Sequence, residues 1–524
     1  MKKQILVLML VFTMVVAFVP CIHAATIVDS GECGAQGDNL TWTLDSDGTL
    51  TISGTGDMAD YPFKYSPSSD KHALGHMRAT QPWLYFYSQD KTLKKIVIKE
   101  GVTSIGEFAF YAQHDLESVE IPDNIIKISD SAFDNCGNLK SVRIGDGVQS
   151  MGAGAFANCD DLTEINIGSG ITEISSAAFS ECTSLKRIVI PDGITKIDEY
   201  AFRDCSNLTN IVIPENVTEI VVSAFEGCRS LESINVDSNN PVYSSEDGVL
   251  FNKDKTELII YPHGRNGEYT IPDSVTRICD SAFAPYSMDG LAEAQYDDET
   301  SPWGLTSIII PDSVTDIGSE AFRGCFGLTS VEIPDSVTSL GDCAFDYCVN
   351  LKSAIIGKGI KNLSVFDFVT FLKDAPPIDI YYRGSEDELS FSRGTRTTSA
   401  PEYWNIHYNS GIYVTLDGKK IQFDVPAQII SDRTLVPLRA IFEALGATVD
   451  WDSSTQTVTS SKNNTVIKVT IGNNIMKKNN ENIELDVPAQ IISDRTLVPA
   501  RAVAEAFGCN VDWDSETKTV IITQ

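Results

Sequence analysis

The chain has 524 residues, too long for one hydrophobic core, so two to four domains are expected. It carries 72 acidic against 40 basic side chains, a formal charge of −32. Such a surface repels phosphate backbones and anionic lipid, which argues against nucleic acid as a partner.

Residues 1–24 carry Lys2 and Lys3, an apolar run from Ile5 to Val19, and a small residue, Ala24, before Ala25. That order predicts a cleaved signal peptide. Pro20 stands before Cys21 where a lipoprotein would need a small residue. No later segment approaches the ~20 apolar residues that span a bilayer. The mature chain is therefore expected to be secreted, extracellular or associated with the cell wall, with no transmembrane anchor.

Residues 25–92 predict a β-rich N-terminal cap, with Asp47-Gly48 as a turn inside the Trp42 to Ser53 stretch. A cap is needed because the first rung of a stack exposes an open edge. His72 and His76 lie four apart, a spacing that suits two metal ligands on a helix. No Glu lies between them and no third ligand is apparent, so they read as loop residues. No metal site and no cofactor are expected.

From residue 93 to 411 one period dominates. Ala-Phe recurs with Phe at 110, 133, 156, 179, 202 and 225, each step 23 residues, and again at 283, 322 and 345. Six units run from Leu93 to Ser230 and two from Leu305 to Asn350, with a degenerate unit from Leu351. A stretched unit, Leu231 to Gly304, carries insertions; turns at Asp247-Gly248 and Asn252 to Thr256 predict a hairpin there. Each unit opens L-x-x-I-x-I, the alternation of a half-buried strand. Pro122, Pro191, Pro214, Pro311 and Pro334 end that strand and preset a turn.

A unit cannot stand alone. About eight apolar side chains gain roughly 12–24 kcal/mol, while ordering 23 backbone residues costs about 23–46 kcal/mol. Stacking must supply the difference, so the fold class is a β-rich repeat solenoid. Residues 352–411 should cover its far end, and the acidic stretch near residue 295 should form a surface loop.

Cys136, Cys159, Cys182, Cys205, Cys228, Cys325 and Cys348 all fall three residues after the repeat Phe. Zinc would want pairs two to four apart, so these predict an internal row of small buried thiols. Without Cys21 eleven cysteines remain, an odd number; Cys33, Cys279, Cys343 and Cys509 lie off the row. The fifth position of each strand faces outward and varies while the framework repeats. It reads Val97, Glu120, Arg143, Asn166, Val189, Val212, Asn235, Ile309, Glu332 and Ile355. These are the candidate binding residues, although the β-branched ones also simply favour a strand.

Residues 412–524 change character. DVPAQIISDRTLVP occurs at Asp424–Pro437 and at Asp486–Pro499, 62 residues apart. Each copy enters a short helix that ends near Gly446 or Gly508, followed by V-D-W-D with Trp451 or Trp513. A small duplicated α+β domain is expected. No nucleophile elbow, phosphate loop or paired-carboxylate motif appears, so no catalytic residue is assigned and the chain reads as no enzyme.

The unit L-x-x-I-x-I-P-[DE]-x-V-T-x-I-x-x-x-A-F-x-x-C resembles the BspA-type leucine-rich repeat of bacterial surface proteins. The segments Cys33 to Met58 and NNPVYSSEDGVLFNKDKTELIIYP are similar to that family's entry segment and insertion. The resemblance implies adhesion to host or bacterial surfaces. Residues 412–524 resemble the copper amine oxidase N-terminal-like, or stalk, domain, which in the oxidases implies neither metal nor cofactor. The leading expectation is an adhesin-like surface protein whose repeats bind an extracellular protein or glycan. Residues 412–524 would then attach or space it at the envelope, the solenoid core lying wholly upstream. With no Leu-Pro-x-Thr-Gly motif and an end VIITQ, attachment is expected to be noncovalent. Alternatives are a wall-polymer binder whose repeats are only a stalk, and a secreted hydrolase with an unrecognised site.

Overall fold

Alternation and a fixed period dictate the rung. In the strand Ser141–Ile144, Val142 and Ile144 point inward and Arg143 points out. This strand pairs in parallel with Ser118–Ile121 and with Glu164–Asn166, and every partner lies 23 residues away. The sequence period has become the stacking period. After the strand the turn closes as expected: Ile194 N–H donates to the Pro191 carbonyl at 3.0 Å, and Val337 N–H to that of Pro334 at 3.2 Å. A second, two-residue strand follows; Ile128 is flanked by Ile105 and Met151 in one ladder. This computed structural model describes residues 25–524 except 63, 67–75, 79, 84–91, 286–303, 365–366, 369–376, 394–395, 409 and 516. The expected signal peptide, His72 and the acidic stretch near residue 295 lie outside the described residues. His76 opens a short strand, His76–Arg78, paired antiparallel with Lys64–Ser66.

The Ala-Phe corner fills the core. The rings of Phe110, Phe133, Phe156, Phe179, Phe202 and Phe225 form one column, with centroids 5.0–6.0 Å apart and planes within 22°. The column resumes from Tyr261 through Phe283, Phe322 and Phe345 to Phe368. Trp83 stacks on its first ring at 5.5 Å, and Trp404 meets its last edge-on at 5.8 Å. In most rungs the corner backbone is left-handed at two places, for example Ser131 and Asn135, or Tyr200 and Asp204. Each such non-glycine residue costs ~1–2 kcal/mol. Bonds to the next rung offset it: Ser131, Phe133 and Asn135 donate to the carbonyls of Ala153, Ala155 and Ala157 at 2.8–2.9 Å.

The thiol row is present. Cys136, Cys159, Cys182, Cys205 and Cys228 are buried and unbridged. Each donates to the carbonyl of the preceding rung's Phe, Cys205 to Phe179 at 3.1 Å and Cys182 to Phe156 at 3.2 Å. Burial pushes the Cys136 thiol up to about 12.

At the N-terminal end, Ile27–Gly34, Gly37–Asp45 and Thr49–Gly54 form an antiparallel meander. Its last strand pairs in parallel with Lys95–Ile98 and so joins the solenoid. The insertion is a hairpin, Tyr243–Glu246 with Val249–Asn252, turned by left-handed Asp247 and Gly248. A side chain at Gly248 would also meet Ser233 Cβ at 2.6 Å. At the far end, Ser330–Ile333, Ser353–Ile356, Ile378–Tyr382 and Trp404–His407 continue the outward-facing sheet.

The C-terminal module has its own core, including Val414, Ile441, Phe442, Val503 and Ile522. Its helices are α1 (Leu438–Ala444) and α2 (Ala500–Ala506), each preceded by the expected Pro. Left-handed Gly446 and Gly508 follow them. A four-stranded sheet has Arg433–Pro437 and Arg495–Pro499 as its central strands, antiparallel to each other. Val436 pairs with Val498, its own counterpart 62 residues on, so a local two-fold axis passes between them. Two ion pairs cross this axis: Arg433 with Asp486 at 2.5 Å, and Arg495 with Asp424. The repeated Asp and Arg of the motif thus clamp one half to the other.

Candidate functional site: the lateral strand face and the module docked on it

Where the rungs pair they pair in register, which lines up the outward strand positions; the rung of Val189 meets the next only at the bridge of Arg187 with Asn210. Val97 is half-buried. Glu120 and Arg143 are exposed and meet at 3.3 Å, satisfying each other. Asn166 and Asn235 are exposed, and Asn235 donates to Ser233 Oγ at 3.3 Å. Val189 and Val212, on adjacent rungs, are 78% and 54% exposed, and Ile309 is also exposed. Position three of each strand shares this face, which the one-position reading missed. It adds exposed Ser118, Glu164, Arg187 and Asn210. The same two-residue period that turned position five outward signalled them. The result is an apolar pair, Val189 and Val212, bordered by Glu164, Asn166, Arg187 and Asn210.

Two expected binding residues are not available. Glu332 and Ile355 turn outward as their register requires, yet they are only 7% and 2% exposed. The C-terminal module covers them. Ile355 and Tyr381 pack with Val425, Leu435, Val487 and Leu497, the last four being two pairs of counterparts about the local axis. The Ser353 hydroxyl donates to the Asp424 carbonyl at 2.5 Å, and the Tyr381 hydroxyl meets Ser493 Oγ at 2.7 Å. Glu332 accepts from Arg383 at 2.7 Å and lies 3.4 Å from the Lys420 ammonium. Tyr413 donates to Asp335 at 2.8 Å, with Arg383 and Lys420 4.2 and 4.3 Å from its ring centre. Burial pushes the Tyr413 phenol up. The solenoid's interior clusters hold no residue beyond 412, but a separate apolar seam joins its outward face to the module. A strand position reads as outward from periodicity, but periodicity is blind to what a later domain covers.

Chemically the lateral face can bury apolar area and form hydrogen bonds; it brings together no acid–base pair or nucleophile. Among the described residues, no group of three or more His, Cys, Asp or Glu is placed to hold a metal ion.

The repeats match the BspA type Leucine rich repeat region over residues 84–205, 126–256 and 301–375. Residues 415–522 match the Copper amine oxidase N-terminal domain. The chain carries BspA-type leucine-rich repeats and a copper amine oxidase N-terminal domain. Among solved structures it is similar to a leucine-rich repeat protein of Eubacterium ventriosum, at 23% identity over 74% of this chain and 87% of that one, TM-score 0.43. It is also similar to a leucine rich cell surface protein of Faecalibacterium prausnitzii, at 27% identity over 67% and 94%, TM-score 0.40. A third is the pneumococcal vaccine antigen PcpA, at 20% identity over 72% and 94%, TM-score 0.42. No curated protein matches. No helix among the described residues of this BspA-type repeat protein is long and apolar enough to cross a membrane.

Proposed function

We propose that the chain is an extracellular, adhesin-like binding protein and not an enzyme. Its lateral strand face between Ser118 and Asn235 engages a protein partner. The copper amine oxidase N-terminal domain, docked on the far rungs, holds it at the cell envelope. One observation carries the reading: Val189 and Val212 lie side by side and exposed where folding asks for no apolar residue. Exposed aliphatics bordered by polar groups are the make-up of the centre and rim of a protein interface. The N-terminal residues, read as a signal peptide, support export.

The test compares the full chain with Val189→Glu/Val212→Glu in binding to immobilised matrix proteins and to intact host cells. A loss of at least about tenfold, with an unchanged melting temperature, is expected from losing a central apolar contact. Undiminished binding by the double variant would assign recognition elsewhere. Envelope attachment is tested by sedimentation of the full chain with purified cell wall; failure to sediment would remove that half of the proposal.

A further inference from the structure

The two-fold layout of the C-terminal module leaves one face against the solenoid and carries two equivalent tryptophans elsewhere. Trp513 sits on the strand Asn510–Asp514 and is 41% exposed. It lines a groove of about 740 Å³. Arg501 and Glu505 of α2 line it, together with Lys478, Glu481 and Glu484 of the hairpin of Ile475–Lys478 with Glu481–Glu484. The crossing ion pair Arg433–Asp486 is also part of its lining. Trp451 holds the counterpart position on Thr448–Asp452, equally exposed, beside the counterpart helix pair Arg439 and Glu443.

Neither indole belongs to the buried core of the module. A strand edge facing water is served as well by Thr or Lys, yet both halves place a tryptophan there. A half-exposed indole offers a flat apolar face with polar groups around it, the arrangement that orients a polar ligand with an apolar side. The C–H face of a pyranose ring is such a side, and its equatorial hydroxyls reach carboxylates and guanidinium groups at the edge. Six carboxylates against three cations line the groove, so it repels a phosphate- or carboxylate-bearing polymer.

We propose that the Trp513 groove binds a neutral, equatorially linked hexopyranose chain, and that Trp451 supplies a second contact for the same kind of polymer. The inference rests on the envelope reading above and names its ligand class. Two linked sites hold a repeating polymer more tightly than one, because the second contact is intramolecular.

The test uses the full chain with chitohexaose and cellohexaose, read by calorimetry, and with insoluble chitin and cellulose, read by pelleting. Binding of at least one oligomer at millimolar concentration is expected. Trp513→Ala should weaken it by roughly tenfold, the scale of one lost aromatic contact. Trp513→Phe, which keeps a stacking face, should stay within about threefold on the same scale. Trp451→Ala should reduce pelleting on the polymer. Should Trp513→Ala prove misfolded by its melting curve, Glu484→Ala in the groove lining takes its place, with loss of binding again expected. Binding of neither oligomer, or equal losses in the Ala and Phe variants, or none in either, overturns the proposal. Sedimentation with purified wall distinguishes the two levels. If Trp451→Ala/Trp513→Ala still sediments with wall, attachment stands and this site does not; if the unaltered chain fails to sediment, attachment itself fails.

Discussion

Ile355 should be expensive to change only while the C-terminal domain is docked. Its position in the rung is the one that Val189 holds five units earlier, where the side chain is exposed and substitution should cost little. At Ile355 the side chain instead meets Val425, Leu435, Val487 and Leu497. Ile355→Thr keeps the β-branch and so the strand preference. It removes roughly two methylene equivalents at ~0.8 kcal/mol each and buries a hydroxyl at a cost of about 1–3 kcal/mol. The expected loss in the full chain is thus about 3–5 kcal/mol. In a chain ending at residue 411 the same change should cost no more than ~0.5 kcal/mol, as at any exposed site. Urea melts of the four proteins close the cycle, with Val189→Thr as a control expected to be near neutral in both lengths. Equal losses at Ile355 in both lengths would refute the seam.

Three further outcomes follow from the core. Phe202→Ala removes one ring from the middle of the column and should cost about 3–5 kcal/mol in denaturant melts, against far less for Val189→Ser. The thiols of Cys159, Cys182 and Cys205 should react with maleimide only after unfolding, because burial holds all three well above their ordinary range; mass evidence of native labelling or bridging would overturn the packing. Asp367 is buried with one carboxylate oxygen unpaired, and burial raises its pKa from 3.8 to about 8. The protonated form is therefore the one the fold favours. Stability tied to it is present below pH 3.8 and is lost as pH rises through about 8, by at most ~1.4 kcal/mol per pH unit. Asp367→Asn should flatten that slope in melts taken across the range, and an unchanged slope would place the titration elsewhere.

Much of this was legible because stacking copies the sequence period into space. The strand, the proline turn, the inward Phe and the thiol row all follow from a 23-residue phase held over six units. The left-handed corners were not legible, since Ser131, Tyr200 and Asn135 carry no glycine signal; inter-rung hydrogen bonds, not local preference, impose that backbone. The tryptophan ends of the Phe column were also hidden, because Trp83 and Trp404 lie outside the repeat and no phase points to them. At the candidate face, position five was read correctly as outward, but only local periodicity entered the reading. What covers Glu332 and Ile355 comes from later in the chain, Lys420 for Glu332 and Val425 to Leu497 for Ile355, up to 142 positions away, and such contacts leave no period. The repeated Asp and Arg of the C-terminal motif were visible as a repeat; that each pairs with the other copy is a property of the two-fold axis.

The division of the lateral face into an open and a covered part carries both the proposed recognition and the docking. Single cysteines placed at Val189→Cys, Val212→Cys and Ile355→Cys, each in the otherwise native full chain, test it by the rate of maleimide modification under native conditions. The buried thiols should stay silent, and the unaltered chain sets the background from the partly exposed Cys279 and Cys343. Rapid modification at 189 and 212, with protection at 355 that vanishes when residues 412–524 are removed, is the predicted result. Modification at 355 as fast as at 189 in the full chain would contradict the account.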